Sequence, residues 1–303
     1  MNPFFSVVIP TYNQASLLKL CLDSVIGQTF KDFEIIVVDN HSTDNTSEIV
    51  DSFNDSRIKL IRIHNEGVVA RSRNKGIQEA KGDWICLLDS DDIWYNNKLE
   101  LVHQTIHSQN YVDVVTHCMM LTDVQKGTKK IMKWNFKFDD LYHHLLLHGN
   151  KFINSALCIR KRFMIEHNIT INEEDRFKSV EDYDMIMNIA RNGGVFAYIS
   201  YPLGDYNIYG TNMSKSDFHL VNLENLLRMH VYEIQTFEQN KDKLWKDVYA
   251  GVIAVKRANS LIKSKHFFKG LTLYCRAMLL SPNRTYGYIK DRMHLFLYRI
   301  NKK

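Results

Sequence analysis

The most chemically loaded stretch of this sequence is Leu87-Leu88-Asp89-Ser90-Asp91-Asp92, where three carboxylates fall within four residues at the end of an apolar run. Side by side they repel one another, and holding them together costs stability unless a cation neutralises them. Alternate residues of an extended segment share a face, so Asp89 and Asp91 can point the same way. A hard divalent ion is one use of such a pair: one or two carboxylates bind it and diphosphate oxygens complete its shell. A solvated turn in which Asp92 caps the next helix is the other.

Asp39 closes the apolar run 33–38. It could accept hydrogen bonds from a base or ribose, or form an Asx turn in the turn-rich segment that follows. Glu181 and Asp182 open a helical stretch. The helix dipole favours carboxylates there, and one of them could also serve as a general base on a bound hydroxyl. Arg71, Arg73 and Lys75 follow the turn Asn65-Glu66-Gly67. They could stabilise a diphosphate or simply face solvent.

These residues need elements to hold them. Over the first 125 residues the apolar pattern alternates between two periods. Residues 4–10, 33–38, 58–63 and 84–88 read as strands. Residues 16–28, 44–53 (with Thr43 as candidate N-cap), 68–81 and 96–109 read as helices. Strand–helix alternation at this spacing implies βαβ units and a mainly parallel sheet covered on both faces. In such sheets ligands bind at the carboxyl ends of the strands, so Thr11-Tyr12-Asn13, Asp39-Asn40 and Asp89 to Asp92 should converge on one rim. Further on, 112–121 reads as a strand, 138–148 as a helix, 152–159 as extended, and 181–191 as a helix stopped by Gly193 or Gly194. Residues 195–199 read as a short strand, followed by an aromatic loop over 201–209. From about residue 217 strand signals vanish and basic amphipathic helices dominate.

The chain of 303 residues is 45% hydrophobic and 24% charged, with four Pro, which argues against long disorder. No apolar run is long enough to span a bilayer, and the start lacks the marks of a secretory leader. The five cysteines are widely spaced, without a CxxC, and are expected to be buried free thiols in a reducing compartment. Net charge is +5, unevenly placed: residues 241–303 carry 15 Lys and Arg against three acids. Such a tail suits either an anionic membrane surface or a helical subdomain with exposed bases. No recognition-helix or stacking motif points to nucleic acid.

Val7-Val8-Ile9-Pro10-Thr11-Tyr12-Asn13, Gln28-Thr29-Phe30, residues 33–39, Ser42-Thr43-Asp44, Arg73-Asn74-Lys75-Gly76, Gly82-Asp83-Trp84-Ile85, residues 88–92 and Glu181-Asp182 together, in this order and spacing, resemble the family 2 inverting glycosyltransferases. The resemblance covers roughly residues 5–215. It implies an α/β, Rossmann-like GT-A fold: a catalytic domain over 1–215, with a nucleotide-binding half (1–110) and an acceptor half (111–215), then a basic helical region over 216–303.

Site roles follow from the same resemblance. Pro10, Thr11 and Tyr12 would line the nucleotide pocket, and Asp39 would meet the base. Arg73 and Asn74 would border the nucleotide. Asp89, with Ser90, would lie near the ribose or sugar, and Asp91 would bind Mn²⁺ or Mg²⁺. Asp92 would orient the site, and Asp182 would be the catalytic base, with Glu181 beside it. Two departures stand out. Asn40 occupies the place of a frequent second acid, and Tyr209 stands where the family often has a metal- or diphosphate-holding His.

The implied reaction moves a sugar, with inversion, from a nucleoside-diphosphate donor, expected to be a UDP-sugar, to a hydroxyl of a lipid-linked glycan in surface polysaccharide (O-antigen or capsule) synthesis. Its expected place is cytoplasmic, with peripheral contact at the inner membrane face through the tail. A nucleotidyltransferase on a related sheet is the competing enzyme; it lacks support from any Gly-rich phosphate loop after the first strand. A nucleotide-sugar-binding relative without catalysis is the non-enzymatic alternative.

Overall fold

The structure is a computed structural model and describes residues 2–133, 140–209, 218–235 and 237–286. Four apolar strands form the parallel half of the sheet: β1 (Phe5–Thr11), β2 (Phe33–Asp39), β3 (Ile58–Arg62) and β4 (Trp84–Leu87). Helices α1 (Ala15–Ile26), α2 (Thr46–Ser52) and α3 (Val69–Glu79) connect them. After β4 come the short β5 (Ile93–Trp94) and α4 (Lys98–Ser108).

Every residue of β1 is buried, because helices cover both faces. Val7 and Ile9 pack with Ile35, Val37, Leu18, Leu22 and Leu99 on one side. Val8 and Val38 meet α3 on the other, at Gly76, where a Cβ would fall 2.3 Å from Val8 Cγ1. Each such aliphatic side chain contributes about 1.5–3 kcal/mol on burial.

The rest of the first unit adds β6 (Val114–Asp123), β7 (Thr128–Met132), β8 (Cys158–Arg160), α6 (Lys161–Glu166), α7 (Glu181–Arg191) and β9 (Phe196–Ile208), with α5 (Leu141–His148) lying between β7 and β8 in the chain. The strand order is β3-β2-β1-β4-β8-β6-β9-β5, with β7 on β6. β8 runs antiparallel to both β4 and β6, while β6 and β9 are parallel. This is the mainly parallel α/β architecture expected, with its reversal at β8.

Several local expectations change. α2 starts at Thr46, not after a Thr43 cap. The residue before it, Asn45, makes no side-chain capping bond; Asp44 instead links the loop, its Oδ1 accepting from Thr46 Oγ1 at 2.6 Å and its Oδ2 from the Ala15 amide at the start of α1 at 2.9 Å. Thr43 instead donates its amide to Asn13 Oδ1. Residues 201–208 are not a loop but most of β9, paired with β6 and β5. Their Tyr, Pro, Gly and Asn content hides the strand; Gly204 is needed because a Cβ there would lie 2.6 Å from the Ile93 carbonyl. Residues 152–159 are extended only in part, since Asn154–Ala156 forms a 3-10 turn.

The chain divides into two compact units, residues 1–139 with 151–213, and residues 140–150 with 214–303. α5 thus groups with the C-terminal helices rather than with the residues around it in sequence. Asp140 caps it, and within its unit Tyr142 Oη and His230 Nδ1 are 3.0 Å apart. The second unit continues with α8 (His219–Met229), a π-helical turn, α9 (Lys241–Val248), a second π turn, α10 (Val255–Lys263) and α11 (Phe267–Leu280). No helix among the described residues is long and apolar enough to cross a membrane. Four cysteines are buried free thiols as expected; Cys275 is exposed. The loop 210–214 and the tail's last bases (Lys290, Arg292, Arg299, Lys302, Lys303), with Leu295 to Tyr298, lie outside the described residues.

Candidate active site

The parallel strands bring their carboxyl ends to one rim. Thr11 and Asp39 are register partners across β1 and β2, and the Asn40 amide donates to the Thr11 carbonyl at 3.0 Å. Pro10 and Thr11 are buried, whereas Tyr12 is 54% exposed and free to face a ligand. Asn13, at φ +50°, ties this loop to the next: its amide donates to Ser42 Oγ, and its side chain accepts from Thr43.

Asp39 is fully buried. Its Oδ1 accepts from the amide and hydroxyl of Ser42, and its Oδ2 lies 3.3 Å from Arg62 Nε without hydrogen-bond geometry. Its carboxylate is therefore built into the Asx-turn arrangement, and any base contact would have to reach it through that turn. Asn40 has a local reason to be an amide: its Oδ1 accepts from the Asn65 amide at 2.8 Å, joining the loop after β2 to the turn before α3.

Arg73 is the hub. Only 6% exposed, it donates through one terminal nitrogen to Asp89 Oδ1 at 2.7 Å and through the other to Glu181 Oε1 at 3.1 Å. Burial works against its charge; Asp89 and Glu181 outweigh burial and hold the guanidinium above its ordinary range. Its Nε and Glu181 Oε2 are buried without hydrogen-bond partners. The neighbouring Asn74 serves structure: its amide donates to the Ile171 carbonyl and Glu173, and its Oδ1 accepts from the Ile171 amide.

The acids after β4 separate into different environments. Asp89 faces Arg73. Ser90 donates to Gln14. Asp92 is fully buried: its Oδ2 accepts from Ser155 Oγ at 2.5 Å and its Oδ1 from the Asn207 amide at 3.0 Å. It does not cap α4, whose N-cap is Asn97. Burial, then Asp89 and Asp91, push its pKa well up. Asp91 forms no ion pair with any base among the described residues, and burial followed by Asp89 raises it to about 6.

A hard divalent cation fits this donor set. A part-buried carboxylate raised by a like neighbour is what a cation relieves. Among the described residues no three His, Cys, Asp or Glu side chains converge to hold a metal by themselves, so phosphate and water oxygens would supply most of its shell. Tyr209, in the place of the frequent His, is raised by burial, then by Asp91 and Asp92, which puts its phenol on this side of the site.

Glu181 and Asp182 begin α7, where the dipole favours carboxylates. Asp182 is half-buried, and burial followed by Glu181 raises it to about 7, with Arg73 pulling the other way. A carboxylate near neutrality is suited to accept a proton at working pH.

Three residues around the site have no role assigned from the sequence, although Tyr206 and Asn207 stand in the segment aligned with the family's Tyr-Arg-x-His motif. Ser155 accepts from the Asp89 amide as well as donating to Asp92, so one hydroxyl fixes both ends of the acidic turn. Asn207 Nδ2 donates to the Asp91 carbonyl at 2.7 Å. The Tyr206 phenol is raised by burial and then by Asp92, Asp89 and Asp91, so it stands among the acids.

The sequence matches Glycosyl transferase family 2 over residues 6–169. The chain belongs to that family. Among its relatives, Glycosyltransferase GlyG of Streptococcus pneumoniae is 40% identical over 38% of this chain and 38% of its own length. Amylovoran biosynthesis glycosyltransferase AmsB of Erwinia amylovora is 30% identical over 67% of this chain and 69% of its own. The Escherichia coli UDP-Glc:alpha-D-GlcNAc-diphosphoundecaprenol beta-1,3-glucosyltransferase WfgD is 42% identical over 32% and 38%. The match thus spans well under half the length of GlyG and WfgD.

Among solved structures, S. aureus TarS 1–349 in complex with UDP-GlcNAc superposes with TM-score 0.67 at 20% identity, covering 94% of this chain and 83% of that one. Mannosyltransferase PcManGT of Pyrobaculum calidifontis, in complex with GDP-Man and Mn²⁺, gives 0.61 at 16% identity, covering 100% and 83%. These likenesses establish the GT-A fold for this family 2 chain. Family membership also sets aside the nucleotidyltransferase alternative.

Proposed function

We propose that this chain is an inverting glycosyltransferase. It takes a sugar from a UDP-linked donor and delivers it to a hydroxyl of a lipid-linked glycan in bacterial surface-polysaccharide synthesis. The observation that supports this reading is the Arg73 bridge, which hydrogen-bonds both Asp89 after β4 and Glu181 at the start of α7. The relatives AmsB, an amylovoran biosynthesis glycosyltransferase, and WfgD, a glucosyltransferase acting on a diphosphoundecaprenol-linked sugar, support the pathway class and the lipid-linked acceptor, and the UDP-GlcNAc complex of TarS supports the donor class.

In this mechanism Pro10, Thr11 and Tyr12 line the nucleotide pocket, and Asp39 supports the base through the Ser42 turn. Asp91 would hold a divalent ion. When bound, the ion supplies positive charge that stabilises the departing diphosphate. Ser155 and Asn207 hold the acidic turn in shape, and Arg73 pairs with both Asp89 and Glu181, joining that turn to the start of α7. Asp182 takes the proton of the acceptor hydroxyl. The oxygen forms its bond to the anomeric carbon as the bond to the diphosphate breaks on the opposite face, so configuration inverts. Transfer takes place at the cytoplasmic membrane face, where the basic C-terminal unit meets anionic lipid.

A panel of UDP- and GDP-sugars, read by thermal shift with and without Mn²⁺ and followed by transfer to a polyprenyl-diphosphate-linked sugar, tests this. Metal-dependent stabilisation by a UDP-sugar and inverted product are expected. Indifference to every nucleotide sinks the reading; donor binding without transfer to any acceptor favours a catalytically silent relative.

A further inference from the structure

α11 packs into its unit through small residues. Gly270 is buried, and a Cβ there would fall 2.6 Å from Ile262 Cγ1 and 2.8 Å from the Ala258 carbonyl on α10. Ala277, two turns on, is also fully buried. This seam fixes which way α11 faces. With about 100° between successive residues, the side opposite Gly270 and Ala277 carries Phe268, Thr272, Cys275 and Leu279, with Leu271 exposed toward one edge of it. All four are exposed, Phe268 by 81% and Leu279 by 84%, and Phe267 and Leu280 are exposed at the stripe's margins. A run of large apolar side chains along one solvent-facing stripe is unusual and marks an interaction surface.

The charge around the stripe selects the partner. Exposed Lys263 ends α10, Lys265 lies in the turn that follows, and Lys269 and Arg276 lie on α11; none forms an ion pair among the described residues. No Asp or Glu occurs anywhere from residue 248 to residue 290. An outward apolar stripe flanked by unpaired bases is the chemistry of a helix lying in an anionic bilayer surface, with the apolar side chains in the acyl boundary and the bases at the phosphates. We infer that the outward stripe of α11 is the membrane-seating surface of this protein, inserting Phe268 and Leu279 into an anionic lipid leaflet. This rests on the membrane-face reading above and assigns it to one helix face.

Co-sedimentation of the full chain with phosphatidylcholine vesicles, with and without phosphatidylglycerol, provides the test. The wild type should bind the phosphatidylglycerol vesicles and ignore the neutral ones. The double variant Phe268→Ser/Leu279→Ser keeps every charge and should bind at least about tenfold more weakly. Its stabilisation by donor with Mn²⁺ should match the wild type, which separates a lost surface from a lost fold. Wild-type and variant chains binding anionic vesicles equally would overturn the assignment to α11 while leaving membrane contact standing. A wild type that ignores both vesicles overturns the assignment and the membrane contact together, with donor binding and transfer still able to stand. A wild type that is dimeric by light scattering while the variant is monomeric overturns the assignment in favour of a second copy on the stripe.

Discussion

Arg73 and Glu181 are 108 residues apart in sequence and 3.1 Å apart in the fold. Because the same guanidinium holds Asp89 at 2.7 Å, one buried cation joins the turn after β4 to the start of α7. Removing it leaves Glu181, itself only 6% exposed, as an uncompensated buried charge. Arg73→Met should therefore cost about 3 kcal/mol or more in chemical denaturation. Arg73→Lys should restore much of the stability but little of the turnover, since one ammonium cannot span both carboxylates.

Asp182 predicts a pH profile. Its proton must be gone before it can act as base, so kcat/KM should rise with pH through about 7 and flatten above it. Asp182→Asn should lower kcat by about a hundredfold or more and leave donor binding intact. Full activity in that variant would remove Asp182 as the base. For stability the sign is opposite: a carboxyl raised above its unfolded value favours the fold at low pH and loses that contribution as pH rises toward 7. Asp182→Asn should flatten this part of the stability profile between about pH 4 and 8, read as denaturation midpoints.

Asp91 predicts the metal dependence. Stabilisation by UDP should require Mn²⁺ or Mg²⁺, reaching about 2.7 kcal/mol at a hundredfold excess over Kd. Asp91→Ala should abolish the metal-dependent part and Asp182→Asn should retain it. Chelation with EDTA should reduce the wild type to the Asp91→Ala behaviour.

Ser155 is predicted to matter through geometry. Ser155→Ala takes the donor from Asp92 Oδ2 and the acceptor from the Asp89 amide in one step. A loss of about 1–3 kcal/mol is expected for groups left unsatisfied. Metal-dependent donor binding should weaken along with it, because the acidic turn loses its shape. Ser155→Thr, which keeps the hydroxyl, should recover part of both.

The parallel half of the fold was legible because its information is local. Uninterrupted apolar runs such as Val7-Val8-Ile9 and Ile35-Ile36-Val37-Val38 announce strands buried on both faces, and their spacing announces the helices between them. The clustering of Asp39 and the acids after β4 at one rim follows from parallel topology alone. By contrast, β9 was masked by its own Tyr, Pro, Gly and Asn residues, because only pairing with β6 and β5 makes that segment a strand.

What each acid does was beyond local reading for a physical reason: a carboxylate's state depends on what is packed around it. Sequence shows three aspartates in four residues. Tertiary structure turns Asp89 toward Arg73, seals Asp92 against Ser155 and Asn207, and leaves Asp91 without a paired base among the described residues. The same holds for α11, whose residues alone allow many orientations. Sequence determined that the C-terminal helices are basic and amphipathic; only the packing of Gly270 on α10 and of Ala277 on Ala250 and Ala254 decided that Phe268 and Leu279 point out.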